Sequence, residues 1–121
     1  MILSSCAEKE NEKDIVCTWD LRAGIVVNVF DEVSLEPISC DANLVIREDF
    51  AYEEVIERKT EEPTYCDTTW GFAGAYERQG TYELIISKPG YQSVLLSNVE
   101  VKAGTCHVNT VTKEIYLEYD L

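Results

Sequence analysis

Gly80-Thr81-Tyr82-Glu83-Leu84-Ile85-Ile86-Ser87 is the stretch whose reading decides the fold. Within it Tyr82, Leu84 and Ile86 fall on one face of an extended chain, and Thr81, Glu83, Ile85 and Ser87 on the other. Gly80 opens the segment, and Pro89-Gly90 follows as a turn whose backbone preferences suit those two residues. Beyond that turn, residues 91–96 read as a returning strand. Gly104 marks another turn, and residues 111–119 read as the last strand, with Ile115, Leu117 and Tyr119 on one face.

Towards the N-terminus the same pattern continues. Residues 25–30 are short and rich in β-branched side chains, as in a buried strand. The turn-prone stretch around Asp31, Ser34 and Pro37 ends it, and residues 42–47 return as a second strand. Residues 50–60 admit two patterns. Tyr52, Glu54, Ile56 and Arg58 alternate with Glu53, Val55, Glu57 and Lys59 on a strand, whereas Phe50, Val55, Ile56 and Lys59 would share a helix face. The strand is preferred because every neighbour reads as β. Residues 61–75 carry Pro63, Gly71 and Gly74 and read as a loop or a broken short strand. The expectation is an all-β protein: a seven-stranded (six to eight) antiparallel or mixed Greek-key β-sandwich.

The 121 residues make one domain of ordinary size, and 45% hydrophobic residues place it with globular proteins. Twenty-three acidic residues against 10 basic ones give a net charge of −13. That surface repels phosphate backbones, so no nucleic-acid partner is expected, and it disfavours charge-driven docking on anionic lipid. No apolar run approaches the roughly 18–20 residues that span a bilayer.

Five cysteines suggest an oxidising compartment. None are spaced as C-x-x-C, and His107 is the sole histidine, so a zinc site has no support. The odd cysteine is assigned to Cys6. Leu3-Ser4-Ser5-Cys6-Ala7 resembles a bacterial lipobox, whose cysteine is lipidated and becomes the mature N-terminus. Only Met1 and Ile2 precede it, so the charged and apolar regions of a full signal peptide are not contained here and a trimmed start is expected. Residues 7–14 offer nothing apolar to bury. Residues 1–16 are therefore read as a lipobox remnant with a flexible polar tether, and 17–121 as the folded domain. Cys17, Cys40, Cys66 and Cys106 remain, with three possible connectivities.

Four motifs carry a family resemblance: Pro37-Ile38-Ser39-Cys40-Asp41-Ala42, the run from Gly74 to Tyr82, Lys88-Pro89-Gly90-Tyr91, and Cys106-His107-Val108. Over about residues 23–119 the chain resembles the carboxypeptidase regulatory-like domains, which share a transthyretin-like (prealbumin-like) sandwich. The resemblance implies a non-catalytic accessory or interaction module on an exported bacterial protein, and it leaves the disulfide pairing open. If the first and last strands run parallel, as in many sandwiches, Cys17 and Cys106 start at one end and Cys40 at the other. That expectation pairs Cys17 with Cys106 and Cys40 with Cys66. The related hydroxyisourate hydrolases need several histidines and a C-terminal tetrapeptide beginning with tyrosine. This chain has one histidine and closes on Glu118-Tyr119-Asp120-Leu121, so that activity is not expected.

The binding candidate is an aromatic cluster in the longest irregular stretch: Tyr65, Trp70, Phe72 and Tyr76. Such rings stack on sugars or anchor a protein partner; alternatively they cap the core over Cys66. Trp19 is expected to pack near Cys17, and His107 to be structural or solvated. Asp41, Asn43, Glu48 and Asp49 offer oxygen ligands of the kind calcium takes, but they match no EF-hand loop and read as a solvated acidic face, so no metal or cofactor is expected. The reading is a lipoprotein of the bacterial cell envelope, periplasmic or surface-exposed. It is membrane-anchored through Cys6, not an enzyme, and binds a protein or carbohydrate partner. The alternatives are a structural accessory domain of an envelope complex and, less favoured, a carbohydrate-acting enzyme with two facing carboxylates.

Overall fold

The computed structural model describes residues 16–58 and 71–120. These contain seven strands: β1 (Ile25–Asp31), β2 (Asn43–Glu48), β3 (Tyr52–Glu57), β4 (Phe72–Gly74), β5 (Gly80–Ser87), β6 (Val94–Val101) and β7 (Val111–Leu117). They form a three-stranded sheet in the order β4-β1-β7 and a four-stranded sheet in the order β3-β2-β5-β6. The β1–β7 pair is parallel, from Ile25↔Val111 to Asp31↔Leu117, and the other pairs are antiparallel. The expected all-β sandwich is the fold observed.

Period-two alternation builds the core. Ile25, Val27 and Val29 of β1 and Phe72 of β4 are buried from one sheet. Leu44 and Ile46 of β2, with Tyr82, Leu84 and Ile86 of β5, are buried from the other. Each such side chain contributes about 1.5–3 kcal/mol by leaving water. In β1 the alternate residues Val26, Asn28 and Phe30 are only half-buried, so the strand has one buried face rather than two. Residues 52–57 form a strand, not a helix, with Tyr52, Glu54 and Ile56 turned inward and Glu53, Val55 and Glu57 outward.

Strand boundaries differ from the sequence reading most in β6 and β7. The Pro89-Gly90 turn extends through Tyr91, whose N–H donates to the Lys88 carbonyl at 3.0 Å, so β6 begins at Val94 and runs on to Val101. The β5–β6 register shifts between Tyr82 and Leu84. Asn98 of β6 takes a left-handed backbone (φ 59°). Tyr119 leaves the buried face of β7, is exposed, and stacks on Tyr91 with ring centres 4.5 Å apart.

The odd-numbered strands all begin, and the even-numbered ones all end, at the same end of the sandwich, here the near end. At the far end, the buried Asp31 carboxylate accepts the Val33 and Ser34 N–H groups at 2.8 and 2.9 Å and the Tyr91 hydroxyl at 2.7 Å. The Ser34 N–H, the Tyr91 hydroxyl and the Val33 N–H hold its carboxyl below the usual range. At the near end, the disulfide Cys17–Cys106 joins the segments leading into β1 and β7, Cα atoms 5.2 Å apart, as expected for parallel strands. Cys40 is also disulfide-bonded; Cys66, its expected partner, lies outside the described residues.

Candidate functional site

The near end holds the densest polar cluster described. It is built on residues 75–79, which carry the chain from β4 to β5. Ala75 and Glu77 both adopt left-handed backbones (φ 51° each), a conformation that L side chains resist. Strain of this kind persists only where surrounding contacts over-determine it, and adjacent side chains supply those contacts.

Arg78 turns to the four-stranded sheet. Its guanidinium lies 4.1 Å from the centre of the Tyr52 ring, and it donates to Glu48 at 2.9 Å and to the Tyr82 hydroxyl at 3.1 Å. The Tyr82 hydroxyl donates to the Arg78 carbonyl at 2.8 Å. Glu54 accepts the Tyr52 hydroxyl at 2.6 Å and the Ala75 N–H at 2.9 Å. Burial, then the Glu54 hydrogen bond, pushes the Tyr52 phenol up to about 12. The hydrogen bond from Arg78 holds the Glu48 carboxyl below its usual range.

Glu77 turns the other way, to the N-terminal segment. It accepts the Arg22 N–H at 2.9 Å and the Val108 N–H at 3.1 Å, and it bonds His107 Nδ1. Burial works to raise the Glu77 carboxyl, but these hydrogen bonds outweigh it and the carboxyl sits below its usual range. An ionised carboxylate only accepts, so Nδ1 carries the proton it shares with Glu77. His107 Nε2 lies 3.0 Å from Thr18 Oγ1. Thr18 and His107 each follow a cysteine of the Cys17–Cys106 bridge, so the bridge and the Thr18–His107–Glu77 chain form one latch holding the N-terminal segment. Hydroxyl, imidazole and carboxylate also occur in this order in nucleophilic hydrolases. Here the three groups tie the N-terminal segment to the residues that precede β5 and β7.

Two open clefts meet over Glu48 and Thr81. One, of about 480 Å³, is bordered by Gln79, Glu100 and Lys102. The other, of about 410 Å³, is bordered by Arg47, Glu83, Ser97 and Asn98. Together they form a polar trough along β5 and β6, beside the register shift between Tyr82 and Leu84.

Of the aromatic cluster singled out by sequence, the structure describes Phe72 and Tyr76. Phe72 is a core residue, 1% exposed and paired with Val27, so it is removed from the binding candidates. Its alternation with Ala73 on β4 turns it inward, on the same face as Gly74. Tyr76 is half-exposed at the near end, and Tyr65, Trp70 and the lipidation candidate Cys6 lie outside the described residues. Trp19 does not pack near Cys17: it is 99% exposed, because the facing sheets already fill the core. The calcium candidates are dispersed as well. Asn43 and Glu48 stand at opposite ends of β2, about 16 Å apart along a strand. Among the described residues no group of three or more His, Cys, Asp or Glu side chains is placed to hold a metal ion.

Sequence reading missed Phe50, which caps the β2–β3 turn and is wholly exposed (106%), with Val16 and Leu21 exposed beside Trp19 in sequence. Its signal was its place after Asp49, between two strand-like runs, where a turn leaves a side chain nothing to pack on. The class of protein defined here is a disulfide-bridged all-β sandwich with a latched N-terminal segment. No family model and no curated protein matches the chain.

Proposed function

We propose that this chain is a non-catalytic binding module of a bacterial cell envelope, tethered through a lipid on Cys6, which takes a protein or carbohydrate partner in the trough over Glu48 and Thr81. The observation that carries the reading is the trough itself. It is open rather than enclosed, and its rim of Gln79, Thr81, Ser97, Asn98 and Glu100 offers donors and acceptors to an extended polar ligand. The Cys17–Cys106 bridge supports an oxidising compartment, and the Leu3-to-Ala7 motif supports the anchor. The Gly80-Thr81-Tyr82 and Lys88-Pro89-Gly90-Tyr91 motifs support kinship with the carboxypeptidase regulatory-like domains.

Thr81 borders both clefts and is exposed, so Thr81→Arg obstructs the whole trough without touching the core. Binding to a panel of envelope glycans, and photo-crosslinking from position 81 to envelope proteins, should both be scored on wild type and variant. Loss of one signal in the variant, at unchanged melting temperature, supports the reading and says which partner class applies. Equal binding by the two proteins, or hydrolysis of any glycan, overturns it. Intact mass tests the anchor separately: a diacylglyceryl gain on a chain beginning at Cys6 is expected, and an unmodified Cys6 in the native host rejects it.

A further inference from the structure

The near end carries the two most exposed large apolar side chains of the described residues, Phe50 at 106% and Trp19 at 99%, with Val16 and Leu21 exposed beside Trp19 in sequence; at the far end the exposed Val33 and Leu35 are aliphatic. They project from two segments that neighbouring residues hold together. Glu77 fastens the segment bearing Val16, Trp19 and Leu21, through Arg22 and His107. Arg78 fastens the hairpin bearing Phe50, through Glu48 and Tyr52. The turn is itself closed by the Ala51 N–H donating to the Glu48 carbonyl at 2.8 Å. An exposed Trp and an exposed Phe mounted on so braced a scaffold are not frayed ends.

The occupant follows from where the chain enters. Cys6 stands ten residues before Val16, and ten residues reach at most about 35 Å when fully extended. A membrane holding Cys6 therefore lies within reach of this end, at a local concentration in the millimolar range typical of short linkers. Trp and Phe rings on separate prongs, rather than one flat apolar face, suit the bilayer–water boundary, where aromatic side chains collect. With a net charge of −13, the attraction must be apolar and the lipid zwitterionic.

We infer that Trp19 and Phe50 are bilayer-contacting prongs that seat the near end of the sandwich on a zwitterionic lipid surface. The inference rests on the envelope-tether reading for its cellular setting, and its test does not depend on lipidation of Cys6. The full chain is carried by an N-terminal hexahistidine tag on phosphatidylcholine vesicles containing a small fraction of nickel-chelating lipid. Tryptophan emission is compared on ordinary and brominated phosphatidylcholine, for wild type and Trp19→Phe. Bromine quenching that disappears in Trp19→Phe is expected, as is weaker quenching of Trp19 in Phe50→Ser, with both variants melting as wild type does. Trp19 emission unchanged by brominated lipid overturns the inference. So does a dimer in light scattering that Trp19→Phe or Phe50→Ser abolishes, since the occupant would then be a second copy. Because the tag replaces the lipid, failure here leaves the Cys6 anchor standing, and an unmodified Cys6 in the cell leaves the lipid contact standing.

Discussion

Removing the Cys17–Cys106 bridge should cost a large share of the stability of a domain of this size. The two cysteines are 89 residues apart. Closing a loop of that length in the unfolded chain removes entropy worth about 4–5 kcal/mol at 25 °C. A domain of this size is stable by about 5–15 kcal/mol in total. The folded state keeps its geometry without the bridge. β1 and β7 remain paired from Ile25↔Val111 to Asp31↔Leu117, and the Val111 N–H still donates to the Gly24 carbonyl at 2.8 Å. The loss therefore lies in the unfolded ensemble, which becomes larger and exposes more surface. Guanidinium unfolding of wild type and of the Cys17→Ser/Cys106→Ser double variant, followed by circular dichroism, should show a lower midpoint and a steeper denaturant dependence. The melting temperature should fall by something on the order of 15 °C. A stability difference below about 1 kcal/mol with an unchanged denaturant slope would refute the loop-closure reasoning.

Four further outcomes are expected. Leu84→Ala, at a wholly buried position, should cost about 2–5 kcal/mol. Leu95→Ala on the outer face should stay within about 0.5 kcal/mol; similar denaturation curves for the two would contradict the assignment of faces. Gly24→Ala would set a Cβ 2.6 Å from the Ala75 carbonyl oxygen, which is backbone and cannot swing away, so a loss of about 1–3 kcal/mol is expected in the same assay. The Asp31 carboxyl is held below its usual range, so its stabilisation is complete above the unfolded pKa of about 3.9 and is lost as pH falls through the folded value. Wild type should therefore outlast Asp31→Asn at neutral pH and lose that advantage in acid; a gap that ignores pH would refute the assignment. Tyr52, its phenol pushed up to about 12, favours folding while neutral. That contribution is full below the unfolded pKa of about 10 and lost as pH rises towards 12. Ultraviolet titration of Tyr52→Phe should lack one late-ionising phenol, and loss of a phenol titrating near 10 instead would show Tyr52 to be solvated.

Local pattern fixed the strands. The alternation in 80–87 placed Tyr82, Leu84 and Ile86 inward because a pleated backbone turns successive side chains to opposite faces whatever the chain does elsewhere. The turn residues at 89–90 and 104 separated the strands for the same local reason. Within the ambiguous stretch 50–60, residues 52–57 were settled as a strand by pairing with β2, a contact no helix face could make. The candidate site was far less legible. Trp19 and Phe72 look equally core-like in sequence, yet one is 99% and the other 1% exposed. Hydrophobicity says what a side chain gains from burial, not whether the sandwich has room left for it.

By itself, then, the sequence determined the element type, the inward face of β5, the acidic surface and the cysteines available for cross-linking. The parallel β1–β7 pairing, the meeting of Thr18 with His107 across 89 residues, and the bracing of the near end by Glu77 and Arg78 were decided only in three dimensions. Side-chain alternation is a property of a few consecutive residues. Strand partnership is a competition among distant segments for the same buried surface, and no short window of sequence records its outcome.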